Sequence, residues 1–597
     1  MKQAETIVTR FEHIARESPE RTALQYEQRA ITYRMLNRKA DEVANTLIRR
    51  NGKPSGQVLV FCEDPLQNVA LQLGVLKAGK TAVPVDVTFP MTRVKSIFDD
   101  SCSEVIATEK KNAERAGQLT DSVIIVDELA PESAQCGQVR SIPPKSLAYI
   151  LYTSGSTGTP KGVIQTHHNL LHVAKVYNHA LRLGPTDRVT TPTSLAYTGT
   201  LWALLATLCN GATFVFTTFD SPFHFMDSLT TGKITVAQMI VTLLRQFMTA
   251  VDQPLHLPDL RLVYTGGEAL HREDVKTFAK LFPSNCELLY NFGSTEAGIL
   301  THLKVDLEGV RSGCFQQNAD DPVFPAGYVI DDNELLLMDE HGSPVRTGAD
   351  GEIAVMSDYL SPGYWKDPSL TEKHFSLMPH DERRLYLTGD IGRFRADQCL
   401  LHLGRRDHQI KIRGYRVQLE EVEGALRSIP GIEQAAVLAV NDPGGNRRIA
   451  AYVQRNLHCD LSAITLRQKL GEILPSYMVP TLFVFVDHMP VSPGGKLIRD
   501  NLPYPDFTRP ELNAAFLEPR TPTEEFLCAI TRDVLQIHSV GVRDNLFDLG
   551  ADSFAVFRLI GRIKESMNTE VQPRTIFQIP VIEDLARNLD EQNARAR

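Results

Sequence analysis

From about residue 20 to residue 300, short apolar runs alternate with stretches of helical periodicity. "GQVLVFCED" is followed by "PLQNVALQLGVLKAG" and then "TAVPVDV"; further on come "ATFVFTTF" and "LRLVYTGGEAL". This alternation predicts βαβ units and parallel sheet covered by helices. Between about 330 and 420 the apolar runs shorten and turn residues multiply, as in "NELLLMDEHGSPV", "GEIAVMSD" and "QIKIRGYRVQL", which predicts antiparallel ribbons. Residues 421–500 return to mixed α/β patterning. A Pro-rich stretch, "NLPYPDFTRPELNAAFLEPRTPTE", reads as a linker. Beyond it "EEFLCAITRDVLQI" and "SFAVFRLIGRIKESM" place apolar residues three and four apart, which predicts a small helical domain.

Composition narrows the partners. A chain of 597 residues exceeds one ordinary core and should divide into several domains. The net charge of −9, without a basic block, argues against nucleic acid as the main partner. Nine scattered cysteines without C-x-x-C suggest neither a disulfide framework nor a zinc site, and a reducing cytoplasm is the expected compartment. The first 20 residues form an amphipathic pattern rather than a signal peptide, and no apolar run reaches the ~18 residues a membrane span needs.

The most concentrated chemistry lies in "LAYILYTSGSTGTPKGVIQTHHNL", residues 148–171. Small residues from Ser154 to Thr159 allow backbone N–H groups to approach a ligand, and Lys161 beside them makes that ligand an anion. The pattern is strand, loop, helix, but it is not a Walker loop, which requires G-x-x-x-x-G-K-[ST].

The full "YTSGSTGTPKG" resembles the phosphate loop of the adenylate-forming superfamily. "YTGGEAL" (264–270), "NFGSTEAG" (291–298), "YLTGDIGRF" (386–394), "GRRDHQIKIRGYRVQLEEVE" (404–423) and "PVSPGGKLIRDNLP" (490–503) match further superfamily motifs in order. The match is closest to nonribosomal peptide synthetase adenylation domains. The resemblance implies an α/β fold. A large N-terminal lobe of helix-covered parallel sheets with an antiparallel ribbon region would span 1–406, and a small mobile α+β lobe 407–505. It also implies ATP-dependent joining of a carboxylate to the α-phosphorus with loss of pyrophosphate, in a site that neutralises charge and fixes in-line geometry.

The same resemblance assigns roles. Thr153, Ser154, Gly155, Ser156, Thr157, Gly158 and Lys161 would cradle the β- and γ-phosphates. Phe292, followed by Gly293 and Ser294, would stack on adenine, with Gly267 and Glu268 beside it. Thr295 would touch the α-phosphate, and Glu296 would hold Mg²⁺. Asp390, with Arg405 nearby, would bind the ribose hydroxyls. Lys496 would be the catalytic lysine, stabilising transition-state charge. Asp407 would be the hinge about which the small lobe rotates. One pose would bring in Lys496. The other would bring in the 409–417 ribbon, which carries Lys411, also placed in the catalytic set, and Gly414, small enough to pass a pantetheine arm.

After the 506–520 linker, residues 521–597 are expected to form a four-helix carrier domain. "DNLFDLGADSFAVFRLI" (544–560) resembles a phosphopantetheine attachment motif with Ser553 as acceptor, although Ala551 replaces a common glycine. A serine at a helix start is ordinarily a cap, and the longer motif favours attachment. A phosphopantetheinyl transferase would then be a partner. Neither the condensation motif H-H-x-x-x-D-G nor a G-x-S-x-G elbow occurs, so the expectation is a free-standing loading module serving a downstream condensation, oxidising or other tailoring enzyme, with no membrane partner.

Ungapped registration places the acid pocket at Thr198, Gly199, Trp202, Thr242, Val263, Thr265, Asn291, Ile299 and Leu300, with Lys496. Thr198 stands where amino-acid-activating members carry an Asp for the α-ammonium, and residues 189–219 hold neither Asp nor Glu. An unpaired buried ammonium is costly, which tilts the reading towards a hydroxy, keto, aryl or small acyl acid. An amino acid with its amine paired elsewhere stays open. So do an acyl-CoA ligase with a fused helical tail and a non-catalytic module with a relic nucleotide site.

Overall fold

The computed structural model describes residues 5–596 except 51–54, 130–141, 155–159, 220, 252, 313–323, 347, 378–382, 407–408, 413–414, 442–446, 457–460, 491–497, 506–511, 513, 536, 552, 568, 570 and 572. Among these residues the βαβ alternation resolves into two large sheets. One has six strands, with Gln57–Phe61 paired in parallel to both Thr81–Pro84 and Ser103–Thr108. The other has nine, with Arg188–Thr191, Val236–Ile240, Leu262–Gly266 and Glu287–Ser294 running parallel as neighbours.

The sheets carry near-continuous apolar strands because helices cover both faces. Helix Ile7–Glu17 starts at a Thr6 capping box, and helix Pro65–Lys77 starts where Asp64 accepts from the Leu66 and Gln67 N–H groups. Both helices bury side chains in a core shared with Trp202 and Tyr264.

The turn-rich region forms a five-stranded sheet in which Gly351–Ser357, Arg384–Phe394 and Leu400–Arg405 are antiparallel neighbours, as the ribbon pattern predicts. Beyond it, helix Leu419–Arg427 packs on a three-stranded sheet of Ile432–Asn441, Arg447–Arg455 and Leu482–Phe485. The C-terminal helices are Pro522–Leu535, Ser553–Met567, Pro573–Gln578 and Ile582–Ala596, around a core of their own. No described helix is long and apolar enough to cross a membrane.

Candidate active site

Strand Leu147–Thr153 carries the buried "LAYILYT" run to the rim of the site. The structure differs here from the strand–loop–helix pattern. Lys161 opens a second strand, Lys161–Thr166, antiparallel to the first with Thr153 opposite Lys161, and helix His167–Leu181 begins only after it. The expected phosphate loop therefore connects the two strands of a hairpin; Gly155, Ser156, Thr157 and Gly158 lie outside the described residues. At its root Thr153 Oγ1 is buried without a partner among the described residues. Ser154 Oγ donates to the Arg416 carbonyl at 2.5 Å.

Glu296, the expected metal ligand, is 1% exposed. Its carboxylate accepts from the Tyr364 hydroxyl at 2.9 Å and from Arg416 Nη1 at 2.8 and 2.9 Å, and Lys161 Nζ lies 3.5 Å away. Burial by itself would raise the Glu296 pKa. The Arg416 and Lys161 charges overcome that and hold it well below the usual carboxylate range. Desolvation, helped by repulsion from Arg416, pulls Lys161 down to about 8. A buried, ionised, acceptor-only carboxylate suits a hard divalent cation.

Phe292 and His402 have ring centroids 5.1 Å apart. His402 Nε2 is 2.8 Å from Asp390 Oδ1, and Arg405 Nη1 donates to Oδ2 at 2.9 Å, because Asp390 and Arg405 are cross-strand partners. Gly293 admits no side chain, since a Cβ there would sit 2.3 Å from the Gly298 carbonyl oxygen. Ser294 Oγ accepts from the Ala297 N–H at 3.3 Å. The Thr295 and Thr198 hydroxyls are 3.1 Å apart. Gly267 takes a positive φ of 82°, and Glu268 accepts from both the Thr242 N–H and its hydroxyl at 2.8 and 2.6 Å.

The sheet register divides the expected pocket residues between two faces. Gln238 pairs with Tyr264, and Gly266 pairs with Asn291. Tyr264 packs with Trp202 and Ile299 on the side of helix Thr198–Cys209, whereas Val263 packs with Phe247 and Phe278 on the other. Strand side chains alternate with a period of two, so a one-residue slip turns every one of them to the opposite face. Val263 and Thr265 therefore face away from Thr198, Gly199 and Trp202, and Tyr264 and Gly266 face towards them. Gln238 Nε2 donates to the Gly199 carbonyl at 3.1 Å, while Thr242, four residues on, is occupied with Glu268. Leu300 joins the separate cluster of Phe292 and Val163. Tyr264 OH lies 3.0 Å from His302 Nε2. Thr198, Gly199, Trp202, Gln238, Tyr264 and Gly266, which share that side, include no Asp or Glu.

The small-lobe ribbon, Gln409–Ile412 paired with Tyr415–Gln418, is seated in this site. Tyr415 stacks on Tyr477 at 4.0 Å and meets Tyr197 edge-on at 5.9 Å. Lys411 lies opposite Arg416 in the ribbon. Asp407, Gly414 and Lys496 lie outside the described residues. Ser553 is the first residue of helix Ser553–Met567. Just before that helix, the Phe547 and Asp548 carbonyls accept from Arg467 Nη1 of the small lobe at 3.2 and 2.9 Å.

Sequence reasoning missed Arg416, Tyr364, His402, Gln238, Tyr264 and Gly266. For Arg416 the only signal was a second cation in "RGYRV", and for Gln238 a polar residue within the apolar strand "VAQMI".

The AMP-binding enzyme profile matches residues 11–365, its C-terminal domain profile matches 421–496, and the phosphopantetheine attachment site profile matches 525–589. The chain belongs to the AMP-binding enzyme family. It is an ATP-dependent adenylate-forming ligase of the nonribosomal peptide synthetase type joined to a carrier domain, with ATP, Mg²⁺ and 4′-phosphopantetheine as cofactors. It is 35% identical over 593 residues to a dimodular nonribosomal peptide synthase of Bacillus subtilis, covering 97% of this chain and 24% of that protein. It is 33% identical over 592 residues to a linear gramicidin synthase polypeptide of Brevibacillus parabrevis, covering 97% of this chain and 11% of that protein. The chain thus spans a quarter or less of the length of these two relatives. Holo-PA1221, an NRPS protein containing adenylation and PCP domains, shares the fold, with a TM-score of 0.81 and 22% identity over 98% of this chain and 96% of that one.

Proposed function

We propose that this chain activates a carboxylic acid as its acyl-adenylate and transfers the acyl group to a phosphopantetheine thiol on Ser553 of its own carrier domain. The observation that carries this reading is the convergence of Lys161, Glu296 and Arg416, from three distant motifs, on one buried centre. In the first half-reaction the acid carboxylate attacks the α-phosphorus of ATP and pyrophosphate leaves. Lys161 and the loop before it hold the outer phosphates, Thr295 the α-phosphate, and Asp390 with Arg405 the ribose. Mg²⁺, when bound at Glu296, supplies positive charge to the phosphates. Lys496 stabilises the pentavalent charge build-up. In the second half-reaction a phosphopantetheine arm held on Ser553 would supply a thiol; the new S–C bond to the acyl carbon would replace the C–O bond to AMP, with AMP as the leaving group and the thiol proton passing to solvent.

The domain limits proposed for this cycle are 1–406 and 407–505 for the two lobes, 506–520 for the linker and 521–597 for the carrier. The acid-free wall around Thr198 and Trp202 supports an acid without an α-ammonium: hydroxy, keto, aryl or small acyl. A tethered carrier keeps its thiol at roughly millimolar effective concentration and favours self-loading over release as acyl-CoA. A phosphopantetheinyl transferase installs the arm, and a downstream condensing or tailoring enzyme takes the thioester.

Acid-dependent pyrophosphate exchange over a panel of hydroxy, keto, aryl and amino acids tests the first half-reaction. Intact-mass analysis after phosphopantetheinylation tests the second and identifies the cargo. No exchange with any acid, or soluble acyl-CoA with no mass added to the carrier, would overturn the proposal.

A further inference from the structure

The carboxylate of Glu296 already carries the contacts of a cation, and that cation belongs to the small lobe. Arg416 Nη1 spans both carboxylate oxygens, while Tyr364 and Lys161 supply the remaining donors. Oε1 meets Arg416 Nη1, the Tyr364 hydroxyl and, at 3.5 Å, Lys161 Nζ, while Oε2 accepts from Arg416 Nη1, so a donor of the small lobe stands on each oxygen. The arginine is held in place independently of the carboxylate. Its own carbonyl accepts from Ser154, and its neighbour Tyr415 is stacked on Tyr477. A divalent magnesium ion would need these oxygens at about 2.0–2.1 Å in octahedral surroundings, and Arg416 Nη1 stands against both of them at 2.8 and 2.9 Å. Two cationic groups on one buried carboxylate also repel each other.

Resting on the reading of Glu296 as metal ligand, we propose that Arg416 and the divalent cation exchange at Glu296. The ribbon-docked arrangement is then the metal-free one. Arg416 is a positioning residue that, with Lys161, keeps the carboxylate neutralised once pyrophosphate has gone. By linkage, metal at Glu296 disfavours ribbon docking to the same extent that docking disfavours metal. The two half-reactions are thereby ordered by a cation swap on one side chain, in addition to any movement of Lys496.

Mn²⁺ alone, added to the full-length chain and followed by the EPR signal of the free ion, tests this. Arg416→Gln is expected to tighten Mn²⁺ binding by about 5- to 150-fold, the usual range of such couplings. Arg416→Lys, which keeps a charge but spans only one oxygen, should give a smaller gain, and it carries the comparison if the glutamine variant does not fold. Glu296→Gln should abolish the site in either background. As a second readout, Mg²⁺ titrated into protein carrying fluorescent labels at exposed Leu377 and Tyr504 should change the inter-lobe distance, at lower concentration in Arg416→Gln. Unchanged Mn²⁺ affinity in both Arg416 variants, with binding lost in Glu296→Gln, overturns the exchange and leaves the metal reading standing. Binding that survives Glu296→Gln overturns both.

Discussion

Arg93 Nη1 lies 2.7 Å from Glu421 Oε1, and both side chains are almost wholly buried, at 5% and 1% exposure. The pair joins helix Met91–Ser101 of the large lobe to helix Leu419–Arg427 of the small one. Nearby, the Thr92 hydroxyl donates to the Glu472 carbonyl at 2.5 Å. These contacts and the seated ribbon fix one lobe arrangement, in which the ribbon faces the nucleotide residues.

Breaking that pair leaves a buried charge without its partner, which costs about 3–5 kcal/mol. Arg93→Ala should therefore destabilise the ribbon-docked arrangement and slow carrier loading at least tenfold, while pyrophosphate exchange changes little. The ratio of the two rates measured on one preparation is the check. An equal fall in both would mean that the pair serves general stability.

Lys496→Ala should lower acid-dependent pyrophosphate exchange by about 10²–10³, the usual effect of removing one electrostatic stabiliser. Loading from supplied acyl-adenylate should persist, because the second half-reaction does not use this side chain. Exchange at the native rate would remove Lys496 from the mechanism.

Ser553→Ala should abolish the mass increment of phosphopantetheine and all acyl loading, with exchange intact. A variant that still loads would return the serine to the role of an ordinary helix cap.

Thr198→Asp places a carboxylate at the start of helix Thr198–Cys209. Exchange with the native acid should fall about 10- to 100-fold, and exchange with an α-amino acid of similar side chain should rise. If amino-acid exchange is already dominant in the unmodified protein, the amine is paired elsewhere.

Acid sensitivity should come partly from two histidines. Burial lowers His167 to about 4, and burial, with a smaller push from His179, lowers His302 to about 4. Between pH ~6.5 and ~4 the unfolded chain binds protons that the folded chain refuses, so stability is full above pH ~6.5 and is lost as pH falls towards 4. Each contributes on the order of 3 kcal/mol over that window. Denaturant unfolding of His302→Gln at pH 5 and pH 7.5 should show a smaller acid loss than the unsubstituted protein; an identical loss would exclude His302 as a source.

The residue order by itself determined the architecture and the chemical class. Helix-covered strands before residue 300, ribbons to 420, an α+β lobe and a helical C-terminal domain all follow from periodicity, which is a local property of the chain. Motifs such as "YTSGSTGTPKG" announce anion binding because small residues and a cation are adjacent in sequence. Three things had to wait for the tertiary structure. The antiparallel strand at Lys161 shares its length and apolar content with a helix start, and only pairing with Leu147–Thr153 distinguishes them. Which of Val263 and Tyr264 faces helix Thr198–Cys209 turns on a single-residue register, and both are apolar enough for either face. The contact of Arg416 with Glu296, 120 residues apart, arises from how two lobes dock. Charge and spacing along a chain say nothing of that, because docking is set by the complementarity of surfaces that exist only after each lobe has folded.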